Sequence, residues 1–343
     1  MRKISLLRMK FRGITVAVGI LALLLTGSTM RAQSINMQYV TVGNPGNAAD
    51  PATGSFYGSV GYTFNIGEYD VTDSQYCTFL NSVDPTGANT LDLYSPQGDA
   101  EFGISENLAA ASGSKYLVIP GYANMPAVDV DYWDTLRFAN YLDDGNTESG
   151  AYTLMGDTPI PSNASSVTRN AGATVWLPSQ NEWYKAAYYD PANGTYSTYA
   201  TQSNTAPGNV VDSGSNEANY YHDGVYSVTR TGVNKYNPSQ NYLTAVGSFT
   251  GSASYYGTYD QSGDVFNWSD TILGYNPAFL GGAWGTNITI TPSSSFSDSQ
   301  FSPTTEDAEF GFRLASIPEP SSVMLMLAGV FGMVWMRGKS FKL

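Results

Sequence analysis

One cysteine and one histidine set the limits of what this chain can do chemically. Cys77 has no second thiol in its own chain, so neither an intramolecular disulfide nor a two-thiol centre can form. Its neighbours Tyr76, Phe79 and Leu80 place it on an apolar pattern, where a cysteine acts as a small buried hydrophobe. His222 would have to serve any Ser–His–Asp triad alone, and it lies in Tyr-Tyr-His-Asp-Gly with no nucleophile-elbow sequence beside it. A histidine cluster for a metal is impossible with one histidine. The 29 acidic residues include no spacing that singles out a pair for glycoside cleavage. Tyrosine is abundant, at 25 residues, and paired at Tyr188-Tyr189, Tyr220-Tyr221 and Tyr255-Tyr256 in segments that read as loops. A rigid flat ring with a hydroxyl suits recognition of a sugar or a protein.

Charge narrows the partners. Six of the 16 Lys and Arg lie in residues 1–32 and three follow Met336, which leaves seven basic against 29 acidic residues, a net charge near −22. Such a chain repels nucleic acid and anionic headgroups and attracts divalent cations or basic partners. With 13% aromatic residues it is not a disordered chain.

The elements that must position these groups are few. Thr72-Asp73-Ser74-Gln75 is a capping box followed by Tyr76, Phe79, Leu80 and Val83 on one face. Asp131 caps a second helix with Leu136, Ala139 and Leu142 on one side. Ser179-Gln180-Asn181-Glu182 is another capping box, opening a helix with Trp183, Ala186 and Ala187 inward, stopped by Asp190-Pro191. Tyr39–Val42, Tyr62–Ile66 and Phe310–Leu314 are β-prone, and Gly, Asn, Pro and Ser punctuate the rest. The pattern predicts α+β with few short helices, short strands and much ordered loop. Loops of that length need pinning, by metal ions or packed aromatics.

Both ends read as addresses. Arg2, Lys3, Arg8, Lys10 and Arg12 precede an apolar stretch from Ile14 to Leu25, the layout of a signal peptide over residues 1–32 with cleavage before Gln33. At the other end, residues 317–343 contain Pro318-Glu319-Pro320, an apolar run from Val323 to Met336, then Arg337, Lys339 and Lys342. About 14 apolar residues are short for a permanent span, which takes about 20, and the basic end should stay cytoplasmic. The terminal pattern resembles the PEP-CTERM sorting signal; an ordinary membrane anchor is the alternative. The resemblance implies transient membrane attachment, an exosortase-type processing enzyme as partner, and release to the cell surface or an exopolysaccharide matrix.

Between these ends lies residues 33–316, read as one domain with neither linker nor repeat. Its motifs run in order: Gly67-Glu68-Tyr69-Asp70-Val71-Thr72; Pro126-Ala127-Val128 with Phe138-Ala139-Asn140-Tyr141-Leu142; Trp176-Leu177-Pro178-Ser179 with Glu182-Trp183; Gly257-Thr258-Tyr259-Asp260; Gly263-Asp264-Val265-Phe266-Asn267-Trp268; Gly281-Gly282-Ala283-Trp284; and Gly311-Phe312-Arg313-Leu314-Ala315. The series resembles the formylglycine-generating enzyme (sulfatase-modifying factor) family. It implies an elaborated C-type-lectin-like fold, often calcium-stabilised. Family oxidases hold copper with a cysteine pair between the Gly-Gly-Ser-Trp-like motif and Gly-Phe-Arg. Here Gly285 to Glu309 contains no Cys, so copper is not expected and no catalytic residue is assigned.

The family's calcium sites carry over position by position. One would use the Asp260 side chain, the Gly263 and Val265 carbonyls and the Asn267 side chain, where Glu is usual in the family. Gly263 would take a φ > 0 turn that aims the carbonyls inward. The other would use Asn219, the Tyr220 carbonyl, Asp223 and the Val225 carbonyl. Asx-turns without metal are the plain alternative for both. Trp133, Trp176, Trp183, Trp268 and Trp284 read as core. Two functions remain: a non-catalytic exported module that binds a glycan or protein, or an enzyme, either a divergent oxidase of the family or a hydrolase.

Overall fold

Three capped helices and a set of very short strands account for the regular structure. The computed structural model describes residues 35–95, 100–211, 214–229, 235–287 and 300–318. The signal segment and nearly all of the terminal tag lie outside the described residues. Among those described, no helix is long and apolar enough to cross a membrane.

The helices start where the sequence indicates. Helix α1 spans Asp73–Val83, and Thr72 and Gln75 complete the reciprocal capping box. Helix α2 spans Tyr132–Asp144 and has a capping box of its own, Asp131 with Asp134. Only the Asp131 half was expected, because Asp at the third position is a less usual partner than Glu or Gln. Gly145 at φ 85° closes this helix in the left-handed conformation that glycine adopts without steric cost. Helix α3 spans Gln180–Tyr188 with the Ser179–Glu182 box. It ends before the expected Asp190-Pro191 stop, since Tyr189 is already extended. Helices α1 and α2 meet through aromatic rings: Phe79 and Phe138 lie edge to face at 5.2 Å, and Phe138 meets Phe312 at 5.2 Å.

The strands are β1 (Tyr39–Val42), β2 (Phe64–Gly67), β3 (Ile104–Glu106), β4 (Tyr116–Val118), β5 (Val175–Trp176), β6 (Tyr189–Asp190), β7 (Thr195–Tyr196), β8 (Phe266–Leu273), β9 (Asn276–Leu280), β10 (Phe310–Gly311) and β11 (Ala315–Ser316). The main sheet runs β1-β2-β11-β5, and its strand pairs are antiparallel. A second sheet runs β10-β8-β9, with β10 parallel to β8. Of the strand expected over Phe310–Leu314 only Phe310–Gly311 pairs, as β10, and the chain pairs again just beyond it, as β11 in the main sheet. Phe312, Arg313 and Leu314 form the crossing, with carbonyls accepting from Val71 N and Gly67 N. Arg313 lies in this crossing, and its fully buried side chain bonds both sheets, at the Gly67 carbonyl on β2 and Asn267 on β8.

The large core contains Trp133, Trp176 and Trp268, while Trp183 and Trp284 belong to two satellite clusters. Pinning of the loops falls largely to buried polar groups. Arg137 emerges from α2, bonds Glu148 at 2.8 Å and donates to the carbonyls of Pro159 and Thr158. It thereby fixes the segment that follows the helix.

Cys77 is 6% exposed on α1, and burial pushes its thiol up to about 11. A thiol reagent should leave the native protein unlabelled and react once denaturant is added. Cys77→Ala should cost about 1 kcal/mol, as expected for a small buried side chain, measured by denaturant unfolding.

Candidate functional site

Two polar groupings stand out: a buried carboxylate–arginine network under the Asp260–Asn267 loop, and an aromatic and acidic cleft at Trp284.

The network is centred on Arg313. Its Nε donates to Asn267 Oδ1 at 2.7 Å, its Nη2 to Asp70 Oδ1 at 2.8 Å and to the Tyr259 carbonyl at 2.9 Å, and its Nη1 to the Gly67 carbonyl at 3.2 Å. Asn267 also accepts from Trp183 Nε1 at 2.8 Å and donates to Asp70 Oδ1 at 2.9 Å. Both donors to Asn267 Oδ1 lack acceptor capacity, so they fix which way the amide points.

The network is not saturated. Asp70 Oδ2, Asp260 Oδ1, Asp264 Oδ2 and Asn219 Oδ1 are buried without a hydrogen-bond partner. Burial raises the Asp70 carboxyl against the pull of Arg313. Burial and the nearby Asp70 push Asp260 up to about 7, and burial and Asp260 push Asp264 well above the usual carboxylate range. Three carboxylates share one guanidinium, and the upward shifts are the response expected of such a cluster, which retains protons that isolated carboxylates would lose.

The residues expected at two calcium sites are arranged differently from expectation. Asp260 presents one unpartnered oxygen and uses the other to accept from Gly247 N at 2.7 Å. The Asn267 oxygen is taken up by Arg313 and Trp183, so this side chain acts as a structural hub. The Gly263 carbonyl accepts from Val265 N at 3.0 Å, and the Val265 carbonyl faces the Asn267 amide at 3.5 Å. The left-handed positions of this loop are Asp260 and Asp264, at φ 64° and 67°, and not Gly263. Glycine is required at 263 for a different reason: a Cβ there would lie 2.3 Å from the Asn219 carbonyl.

Asn219 joins the first grouping. Its Nδ2 donates to Asp264 Oδ1 at 2.7 Å, and its carbonyl accepts from Asp264 N at 2.7 Å. Asp223, by contrast, has a side chain 88% exposed at the tip of the His222–Val225 turn, 3.4 Å from His222 Nε2. The Tyr220 and Val225 carbonyls both accept from the Asn209 amide, at 3.1 and 2.9 Å. An amide thus bridges the two carbonyls assigned to a cation. Among the described residues, no group of three or more His, Cys, Asp or Glu side chains is arranged to hold a metal ion. The donor type of three of these residues is the one calcium takes. Asp260, Asp264 and Asn219 each carry an unpartnered buried hard oxygen.

The cleft was not anticipated. Tyr226, Tyr236, Trp284, Gly285, Asp307 and Glu309 line a cavity of about 310 Å³. Trp284 lies nearly parallel to Tyr242 at 4.9 Å and to Tyr236 at 6.1 Å. Burial, then Asp307 and Glu101, push the Glu309 carboxyl up to about 7. These residues are spread from 226 to 309, so no local motif could announce them. Of the tyrosine pairs that were singled out, Tyr221 packs against the cleft, its ring 4.7 Å from Tyr226, while other members are core. Tyr188, Tyr189 and Tyr220 are buried at 2%, 7% and 0% exposure: Tyr188 lies in the satellite core with α3, Tyr189 meets Tyr196 at 5.1 Å, and Tyr220 meets His222 at 5.3 Å.

This α+β domain, with little regular structure and loops held by buried polar side chains, shares the C-type-lectin-like architecture of a solved structure whose whole length it matches. A match to the sulfatase-modifying factor enzyme 1-like domain extends over residues 54–317, and the chain belongs to that family. Among solved structures, CarF is similar over 83% of this chain and 100% of its own, at 19% identity and a TM-score of 0.52. Treponema denticola variable protein 1 is similar over 82% and 95%, at 16% identity and a TM-score of 0.47. PvdO from Pseudomonas aeruginosa is similar over 82% and 92%, at 15% identity and 0.45. No curated protein sequence matches the chain.

Arg313→Met should destabilise the domain by about 3–5 kcal/mol, since it strands the buried Asp70 carboxylate. A Asp70→Asn, Arg313→Met double variant should recover part of that loss in urea unfolding.

Proposed function

We propose that this chain is an exported, non-catalytic binding module that uses a lectin-like scaffold to hold a glycan at the cell surface or in its matrix. The observation that carries the reading is the cleft at Trp284. The segment Gly285–Glu309, where family oxidases place their thiols, contains no cysteine, and its two ends meet at a cavity lined by aromatic rings and carboxylates. Stacked rings beside hydrogen-bond acceptors suit a sugar, whose ring offers an apolar face and whose hydroxyls donate. The terminal tag supports delivery by an exosortase-type enzyme after transient membrane attachment.

The full-length chain should bind the exporting cell's exopolysaccharide in a sedimentation assay. It should consume no oxygen with a thiol peptide and copper. Copper-dependent turnover would instead establish a divergent oxidase.

Calcium is the structural ion of this proposal. Asp260, Asp264 and Asn219 would hold it, and its charge would offset the repulsion among the buried carboxylates. Binding to the folded state alone stabilises by about 2.7 kcal/mol at a hundredfold excess over Kd, and extracellular sites bind at about 10⁻⁴–10⁻³ M. The melting temperature should therefore rise at millimolar calcium, and Asp260→Ala should abolish most of the rise. Identical melting curves in calcium and chelator would remove the ion from the proposal.

A further inference from the structure

We propose that the cleft between Trp284 and Glu309 selects a cationic amino sugar, a pyranose bearing a free ammonium group, over neutral or N-acetylated sugars. This rests on the glycan-binding reading and specifies its ligand.

Three observations support it. The first is the unspent carboxylate. Glu309 has its main chain fixed on both sides: its N–H donates to Asp307 Oδ1 at 2.9 Å, and its carbonyl accepts from Phe266 N at 2.8 Å. Among the described residues its carboxylate has neither a hydrogen bond nor an ion pair. Room for it depends on Gly285, where a Cβ would lie 2.2 Å from Glu309 Oε1. The acid thus stands on a fixed main chain and against a bare backbone, with no basic side chain paired to it among the described residues.

The second is the field around it. The charged neighbours acting on Glu309 are Asp307 and Glu101, both acidic. Asp307 is exposed at the rim, and Glu101 is buried behind, where it accepts from the N–H of Tyr242 at 3.1 Å. The nearest basic residue in sequence to the aromatic wall, Lys235, is exposed and is not among the groups that perturb Glu309. An incoming ammonium gains from these carboxylates, whereas a neutral acetamide gains only hydrogen bonds.

The third is the aromatic wall. Tyr236 is 46% exposed, lies at 10° to Trp284, and has Tyr226 at 6.5 Å. Ring faces attract both sugar C–H groups and cations. The cavity of about 310 Å³ is at the lower end of small-molecule sites.

The test is calorimetric titration of the full-length chain with a glucosamine tetramer, its N-acetylated counterpart, a neutral glucose tetramer and hexalysine. The free-amine tetramer should bind at least tenfold tighter than the other three. Glu309→Gln and Tyr236→Ala should each weaken it at least tenfold with the melting temperature unchanged. Asp157→Asn, an exposed acid far along the chain, should leave affinity as it was. Equal binding of the N-acetylated or neutral tetramer would overturn the selectivity while leaving a glycan-binding module in place. Stronger binding of hexalysine would make the cleft a peptide site. An equal loss in Asp157→Asn would reduce the effect to general charge attraction. Exopolysaccharide binding without any tetramer binding would also overturn the inference, and loss of both would take the glycan reading with it.

Discussion

A guanidinium buried at 0% exposure, facing carboxylates that outnumber it, is the constraint around which this domain is assembled. Taking such a charge out of water costs several kcal/mol unless its donors are met. Arg313 meets them by drawing together the end of β2, the Asp70 turn, the Tyr259 loop and Asn267 on β8. None of these segments is long enough to define the fold alone. Their common partner sets where the main sheet ends and the second sheet begins. It sits where the chain between β10 and β11 leaves one ladder and joins another.

The same logic holds the loops. Arg137 fixes the stretch after α2, and Arg169 joins Glu182 on α3 to Asp270 on β8 while lying 4.9 Å over the Trp176 ring. Glu182 accepts from Tyr62, Trp176 and the Ser179 N–H in addition. Metal ions or packed rings were expected to do this work. Rings contribute, but a few long cations and acids reach across distances that backbone ladders of two residues cannot.

Much of the architecture was legible because capping is local chemistry. Thr72, Asp131 and Ser179 each start a helix within a residue of expectation, and the five tryptophans singled out as core are at most 6% exposed. What failed was what depends on distant partners. Asn267 in place of a family glutamate read as a weakened cation ligand, but its oxygen belongs to Arg313 and Trp183, 46 and 84 residues away. Asn219 and Asp260 were assigned to separate sites, yet Asn219 bonds Asp264 in the same loop as Asp260. The Trp284 cleft joins three stretches of chain, so only the folded form shows it.

Strand order has a consequence for the life of the chain before it is folded. β11, at Ala315–Ser316, lies between β2 and β5 in the middle of the main sheet, and β2 begins at Phe64. The sheet interior is therefore completed by some of the last described residues, across a separation of roughly 250 positions, and such long-range closure is slow to form. A chain emerging from its N-terminal end cannot close this sheet until nearly all of it has emerged. Until then β2 and β5 have no strand between them, and the edges they offer each other stay unpaired.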